Sequence, residues 1–160
     1  MKKIISLLFT LSILVSCNQN TVDLEIAEAE VTSFLESQFD FFSSGSIDEA
    51  KQTFYHDAVL IGTDEAEFLS GWKEVEPSLL GQFAAVKSPK FNYRDMNVVV
   101  SDDGKMASYT QRVDFKFKSG EEIIEINNVR ASGVIKKFGD SWKIMQIHWS
   151  MGVQGQVVEY

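Results

Sequence analysis

The sequence predicts one α+β domain in which helices precede an antiparallel sheet. Apolar residues recur every three or four positions within residues 22–42 and again within residues 68–83, which is the period of an amphipathic helix. Beyond Pro89 the apolar period changes to two, which is the period of a strand with one buried face. Helices followed by consecutive strands are typical of the α+β class, and no repeat or second domain boundary interrupts them.

The first predicted helix covers residues 22–42. Val31 and Leu35 belong to its apolar face, and Gly45 supplies the glycine that commonly follows a helix end. A short second helix is expected from Ser46, because Ser46 and Glu49 have the spacing of a capping box.

A short strand is predicted over residues 58–63, and a longer helix after it. Thr63 or Asp64 is expected to cap that helix, with Glu65 and Glu67 in its first turn. Phe68 and Trp72 continue its apolar period. Pro77 lies inside the run, so we expect a kink or a restart near that residue.

Four strands are predicted to complete the domain, over residues 91–101, 105–118, 121–138 and 141–153, each joined to the next by a tight turn. In the second of these strands the odd positions are mostly apolar and the even positions polar. The apolar set is Ala107, Tyr109, Val113, Phe115 and Phe117. This strand should therefore bury one face.

The N-terminus has the features of an exported lipoprotein. Lys2 and Lys3 precede an apolar run that ends at Val15, which is too short to span a bilayer and has the length of a secretory signal. Residues 14–17 (LVSC) resemble the bacterial lipobox, which implies cleavage before Cys17 and acylation of that residue. Cys17 is the only cysteine, so no disulfide can form within the chain. Asn18 follows it, which resembles an outer-membrane address.

Charge and composition exclude several classes of partner. The net charge is −8, and removal of Lys2 and Lys3 with the signal makes it −10, which disfavours binding to a phosphate backbone. We therefore expect no nucleic-acid partner. Two histidines and one cysteine are too few for a closed zinc site, so no metal and no cofactor are predicted.

Three segments together resemble the SnoaL-like branch of the nuclear-transport-factor-2-like superfamily. They are residues 54–64 (FYHDAVLIGTD), residues 67–72 (EFLSGW), and the last two strands, 129–137 (VRASGVIKK) with 142–150 (WKIMQIHWS). The resemblance implies a cone, also called a cystatin-like roll, in which a strongly bent sheet wraps the first helix and leaves a pocket at its open end. The expected organisation is a signal peptide at 1–16, a lipidated tether at 17–23 and a SnoaL-like domain at 24–160.

The last strand supplies most of the predicted pocket. Strict alternation places Gln146, His148 and Ser150 on the inner face, where a few polar groups among apolar ones suit a small-molecule cavity. The opposite face would then be apolar and need a cover, and the family resemblance implies dimerisation through the outer face of the sheet. The residues assigned to a homodimer contact are Ile147, Trp149 and Met151.

Further pocket candidates come from other elements. Arg130 is expected either to bind an anionic ligand or to pair with Asp64 or Asp114. The side chains considered for ligand contacts, each with a structural role as its alternative, are Tyr55, Trp72, Tyr93 and Tyr109.

Three functions are compatible with these patterns. The first is an envelope lipoprotein that binds a small, partly apolar molecule in the cone pocket. The second is an isomerase, dehydratase or cyclase that uses His148 or Asp64 as its base and a tyrosine as its hydrogen-bond donor. The third is a structural or dimerising lipoprotein whose pocket is filled by its own aromatic side chains, a possibility raised by the twelve Phe residues.

Overall fold

The computed structural model of the protein describes residues 22–153 and residue 155. The predicted signal peptide and Cys17 lie outside the described residues. Within those residues, no helix combines the length and apolarity that a bilayer crossing requires.

Two short helices follow the first long one. Helix α1 spans Leu24–Ser37 and begins at Asp23, whose carboxylate accepts hydrogen bonds from two backbone N–H groups of the first turn, at 3.1 and 3.2 Å. Helix α2 spans Phe41–Ser44 and ends at Gly45, whose φ of 65° is the left-handed conformation expected after a helix end. The predicted single helix over 22–42 is therefore two helices.

Helix α3 spans Ile47–Thr53 and confirms half of the predicted capping box. The Ser46 hydroxyl accepts a hydrogen bond from the N–H of Glu49 at 3.2 Å. The reciprocal bond is replaced, since the Glu49 carboxylate accepts from the hydroxyl of Ser44 at 2.7 Å.

The prediction of a helix starting at Thr63 or Asp64 is wrong. Strand β1 spans Phe54–Ile61, a tight loop follows, and β2 (Phe68–Ser70) returns antiparallel along β1. The loop closes because the N–H of Gly62 donates to the carbonyl of Glu67 at 2.7 Å, which favours a hairpin over a helical turn. Helix α4 begins only at Trp72.

Helix α4 spans Trp72–Ala85 without interruption, with Pro77 inside it. The predicted kink or restart near this proline does not divide the helix. Val75 and Leu79 bury its inner face against the sheet side of the domain.

The remaining strands confirm the predicted meander. They are β3 (Lys87–Val100), β4 (Met106–Ser119), β5 (Glu122–Phe138) and β6 (Ser141–Ser150). The six strands form one curved sheet in the order β2-β1-β6-β5-β4-β3, in which only the β1–β6 pair is parallel. The α+β fold with a bent sheet and N-terminal helices is thus the predicted one.

Extra residues interrupt the pairing of β1, β3, β5 and β6, and three of these bulges change which side chains face the concave side of the sheet. Such bulges reverse the alternation beyond them and increase the local bend. In β3 the bulge contains Asp95 (φ 52°), and in β5 it contains Asn128 (φ 61°). In β6 it lies at Met145.

The core fills the end of the cone that α1 enters. Val31 and Leu35 of α1 are fully buried in the same core cluster as Ile135 and Ile144 of the sheet. We call this region the closed end. The region beyond the end of α1, toward the β4–β5 turn, is the open end.

Candidate functional site

An apolar cavity of about 350 Å³ lies at the open end of the cone. Its wall comes from the concave face of the sheet, from α2, from the C-terminal half of α4 and from the loop between β1 and β2. The apolar side chains on the wall are Phe39, Phe42, Phe54, Leu60, Leu79, Val86, Pro89, Phe91, Phe115, Phe117, Ile126, Val129, Trp149 and Met151. The size and lining are those of a small-molecule site.

Aromatic rings in mutual contact form one side of this cavity. The Trp149 ring lies 5.4 Å from the ring of Phe39 and 5.4 Å from that of Phe115, measured between centroids. Phe91 lies 5.9 Å from Phe39 and 5.4 Å from Phe115. Tilted and edge-to-face contacts of this kind hold the rings in place, so the wall is preorganised.

Glu67 brings a carboxylate to the cavity wall. On β1 the buried Leu60 faces the concave side, so Gly62, two residues later, faces it too. A Cβ atom built on Gly62 would lie 2.0 Å from Oε2 of Glu67, so the Glu67 side chain occupies that inward-facing space. The same oxygen accepts hydrogen bonds from the N–H groups of Thr63 and Asp64, at 3.1 and 3.3 Å.

Two lysines also border the cavity, but their side chains belong to the other side of the sheet. Lys116 lies between Phe115 and Phe117, which face inward, and Lys90 is its direct cross-strand partner. Lys116 forms an ion pair with Glu125, its partner on β5. These residues therefore contribute backbone to the cavity and charge to the convex face.

The prediction that Gln146, His148 and Ser150 point inward is wrong. Ile135 pairs with Ile144 but Val134 pairs with Gln146, so Met145 is an extra residue in β6 and reverses the alternation beyond it. His148 is exposed, and its neighbours on the convex face are Ser132 on β5 and Ile61 on β1.

The same bulge overturns the predicted dimer contact. Ile147 is fully buried in the core, and Trp149 lines the cavity. Met151, which follows the strand, also lines the cavity. Ile147 and Trp149 therefore face the interior of their own chain, and Met151, which is 49% exposed, lies at the mouth of the cavity.

Arg130 lies on the convex face, opposite Ser150. Its guanidinium donates a hydrogen bond to the carbonyl of Met151 at 2.9 Å. Neither Asp64 nor Asp114, the two acids considered as its partner, forms an ion pair with Arg130. Asp114 pairs with Arg94, with N–O distances of 3.0 Å, and Asp64 accepts from the N–H of Ala66 at 2.9 Å.

Two of the candidate tyrosines, Tyr93 and Tyr109, do not border the cavity. Tyr109 is buried, and its hydroxyl donates to Oε1 of Gln38 at 3.3 Å. Burial raises the pKa of the Tyr109 phenol far above its ordinary value. Burial likewise raises the pKa of Tyr93, and the charge of Asp40 adds to the increase. Both phenols are therefore neutral at physiological pH.

The remaining aromatic candidates pack outside the cavity. Tyr55 stacks on Phe138 with centroids 4.9 Å apart, and Trp72 lies 6.4 Å from Phe54. The buried indole N–H of Trp72 has no hydrogen-bond partner within residues 22–153 and 155.

Sequence reasoning missed the polar residues of the cavity. The sequence pattern places Thr63 and Glu67 at the start of a helix, and it gives no signal for Gln82 of α4. The available signal was the inward alternation of Ala58, Leu60 and Gly62, which brings the loop after β1 to the cavity.

Gln111, on the concave face of β4, is a further polar residue that the sequence did not single out. It is 3% exposed, and neither its amide nitrogen nor its carbonyl oxygen has a hydrogen-bond partner in the described part of the chain. It lies in the same row as Trp149, with Ala131 between them. Gln111 thus has unused hydrogen-bonding capacity on the concave side.

Comparison with solved structures supports the fold. A nuclear-transport-factor-2-like protein from Salmonella enterica matches with a TM-score of 0.69 at 18% identity, covering 86% of this chain and 99% of that one. A protein from Novosphingobium aromaticivorans, provisionally named a scytalone dehydratase, matches with a TM-score of 0.68 at 13% identity, covering 85% and 93%. A Caulobacter vibrioides protein with a cystatin-like fold gives 0.63 at 7%, covering 81% and 92%.

No curated protein matches the sequence. The model of the SnoaL-like domain matches residues 31–154, which include every strand and every residue of the cavity wall. The chain belongs to the SnoaL-like domain family, and its fold is that of the nuclear-transport-factor-2-like structures.

Proposed function

We propose that this domain binds a small, mostly apolar molecule in the cavity at its open end, while held at the cell envelope by a lipidated Cys17. The observation that carries the binding proposal is the cavity itself, about 350 Å³ of unfilled space behind a largely apolar wall. This volume equals that of roughly a dozen water molecules, and it suits a ligand of similar heavy-atom count.

The wall explains why such a ligand would bind. Water in an apolar cavity lacks hydrogen-bond partners, and each Å² of apolar surface removed from water contributes about 25 cal/mol to binding. The rings of Phe39, Phe91, Phe115 and Trp149 already contact one another. Little ordering of the wall is therefore needed when the ligand enters.

Titration with 1-decanol tests the proposal, because this alcohol has an apolar chain and no charge. Trp149 lines the cavity, so its fluorescence should change on binding, and calorimetry should give the affinity. Ile126→Trp places a bulky ring in the cavity and should weaken binding at least about tenfold. Ile123→Trp is the matched control, since Ile123 lies on the same strand, is 60% exposed and does not border the cavity.

Decanol binding that is equal in Ile126→Trp, Ile123→Trp and the unaltered protein would place the ligand elsewhere and overturn the proposal. Absence of decanol binding would also count against it.

The enzymatic hypothesis receives less support from the geometry. Its attraction is the structural likeness to the provisionally named dehydratase from Novosphingobium aromaticivorans. The two bases considered for it, His148 and Asp64, are exposed and do not border the cavity. A base must lie within hydrogen-bond reach of the reacting atom, so a reaction in this cavity would not use either residue.

The hypothesis of a filled pocket is also disfavoured, because the aromatic rings of the described residues line the open end and leave its centre empty.

Homodimerisation through the convex face remains part of the proposal on the basis of the family resemblance. On that face Arg94, Arg112 and Arg130 lie side by side on adjacent strands. Sedimentation of the acyl-free domain across a concentration series tests it, and a monomer at every concentration would contradict it.

The envelope anchor has a separate test. Two or more acyl chains give stable membrane attachment, whereas one chain gives only reversible binding. Labelling with radioactive palmitate in a bacterial host should mark the full chain and fail to mark Cys17→Ser. Cell fractionation should then find the labelled protein in the outer membrane. Equal labelling of both forms would refute lipidation at Cys17.

A further inference from the structure

The charge at the cavity wall indicates which polar group the ligand carries. We infer that the cavity selects apolar molecules bearing an amine or another hydrogen-bond donor, and discriminates against carboxylates of the same size. This inference rests on the proposed function, because it names the ligand class of the same site.

The Glu67 carboxylate lies at the cavity wall. It fills the inward-facing space beside Gly62, at the level of Trp149 on the neighbouring strand. Two hydrogen bonds from the loop N–H groups of Thr63 and Asp64 fix one of its oxygens. A carboxylate offers about four acceptor positions in total, so capacity remains for a donor on a ligand.

The basic side chains at the cavity point away from it. Among the described residues that border the cavity, only Lys90 and Lys116 are basic, and strand alternation directs both side chains to the convex face. Lys116 is further engaged by Glu125. Among residues 22–153 and 155, no basic side chain would therefore meet a ligand carboxylate inside the cone, which would face the negative charge of Glu67.

The Glu67 carboxylate lies in mainly apolar surroundings. The rest of the wall beside Glu67 is mainly aromatic and aliphatic, and Thr63 and Gln82 are its neutral polar residues. Charge interactions are stronger in such surroundings than in water, because the effective dielectric constant is lower. The sign of one fixed carboxylate is therefore sufficient to order ligands by the charge of their head group.

Three probes with the same chain test this order at pH 7: decylamine, 1-decanol and decanoate. Calorimetry on the unaltered protein should give the tightest binding for the amine and the weakest for the carboxylate, with at least about a tenfold difference between them. Glu67→Gln retains an oxygen that can accept from the loop N–H groups while removing the charge. It should bring the amine and the carboxylate to within about threefold of each other.

Glu65→Gln is the matched control, because Glu65 is exposed on the same loop and does not border the cavity. It changes the net charge by the same amount and should leave the order and the tenfold difference unchanged. An order in the unaltered protein that persists in Glu67→Gln would assign it to the overall negative charge and overturn the inference.

The outcomes separate this inference from the proposed function. Equal affinity for all three probes in the unaltered protein, together with weaker binding to Ile126→Trp, would overturn the selectivity and leave apolar ligand binding intact. Failure of all three probes to bind would overturn both the inferred selectivity and the proposed binding of apolar ligands.

Discussion

The two ends of the cone are built from similar apolar residues, but side chains fill the closed end and leave a cavity at the open end. At the closed end, α1 inserts Val31 and Leu35 into the sheet, and both are fully buried. At the open end α1 has ended at Ser37, and a set of phenylalanines surrounds empty space without filling it. The length of helix α1 therefore decides which part of the bent sheet is covered by a packed core and which part encloses a cavity.

The largest expected effect concerns the closed end. Leu35→Ala should lower the free energy of unfolding by about 2–5 kcal/mol, because it leaves a new void in a packed region. Phe117→Ala at the open end should lower it by less than about 1.5 kcal/mol, because this half-buried ring borders a cavity that already exists. Urea unfolding measures both. Equal losses would break the distinction between the two ends.

A smaller effect is expected where a polar pair crosses the closed half. Tyr109→Phe removes the donor to Oε1 of Gln38 and leaves that buried oxygen without this partner. Stability should fall by about 1–2 kcal/mol, while decanol affinity should stay unchanged, because Tyr109 does not border the cavity. A loss of affinity without a loss of stability would instead make Tyr109 a ligand contact.

The smallest effect concerns the β5 bulge, which lies between the two ends on the convex side. Asp114 there accepts from the guanidinium of Arg94 and from the N–H of Asn128 at 2.8 Å. The hydrogen bonds from Arg94, followed by the one from Asn128, hold the pKa of Asp114 well below its ordinary value. The unfolded chain therefore binds a proton at this residue at a higher pH than the folded chain does.

The sign of the pH dependence follows from that difference. The stabilisation from Asp114 should be complete above its ordinary pKa of about 3.9 and should be lost as the pH falls below it. Asp114→Asn should flatten the stability profile between pH 5 and pH 2 by a small amount. Thermal unfolding across that range measures this, with the exposed Asp102→Asn as control. A profile that is as steep in Asp114→Asn as in the unaltered protein would contradict the assignment.

The fold was predictable because its main signals are local. The change of apolar period at Pro89 marks the start of the meander, and β4 keeps strict alternation along its length, so the inward positions Tyr109, Val113 and Phe115 were predicted correctly. The Ser46 cap was predictable for the same reason, since its partner Glu49 lies three residues away.

The site was not predictable, because its inward set depends on single extra residues. Nothing in the residues around Met145 distinguishes a bulge from regular alternation, yet the bulge exchanges His148 for Trp149 on the concave face. The prediction of a helix in place of the loop after β1 was wrong for a related reason. Glu67 has the spacing of a helix first turn, and only the tertiary contact with Gly62 shows that it closes a hairpin loop.

The most direct test of the distinction between the ends is methyl NMR of the protein during titration with 1-decanol. The account predicts shifts for the methyl groups of Leu60, Ile126 and Met151, which line the open end, and none for those of Leu35 and Ile135 at the closed end. Shifts confined to the exposed Ile123 and Val99, with the cavity methyl groups unchanged, would show that decanol binds the surface and would contradict it.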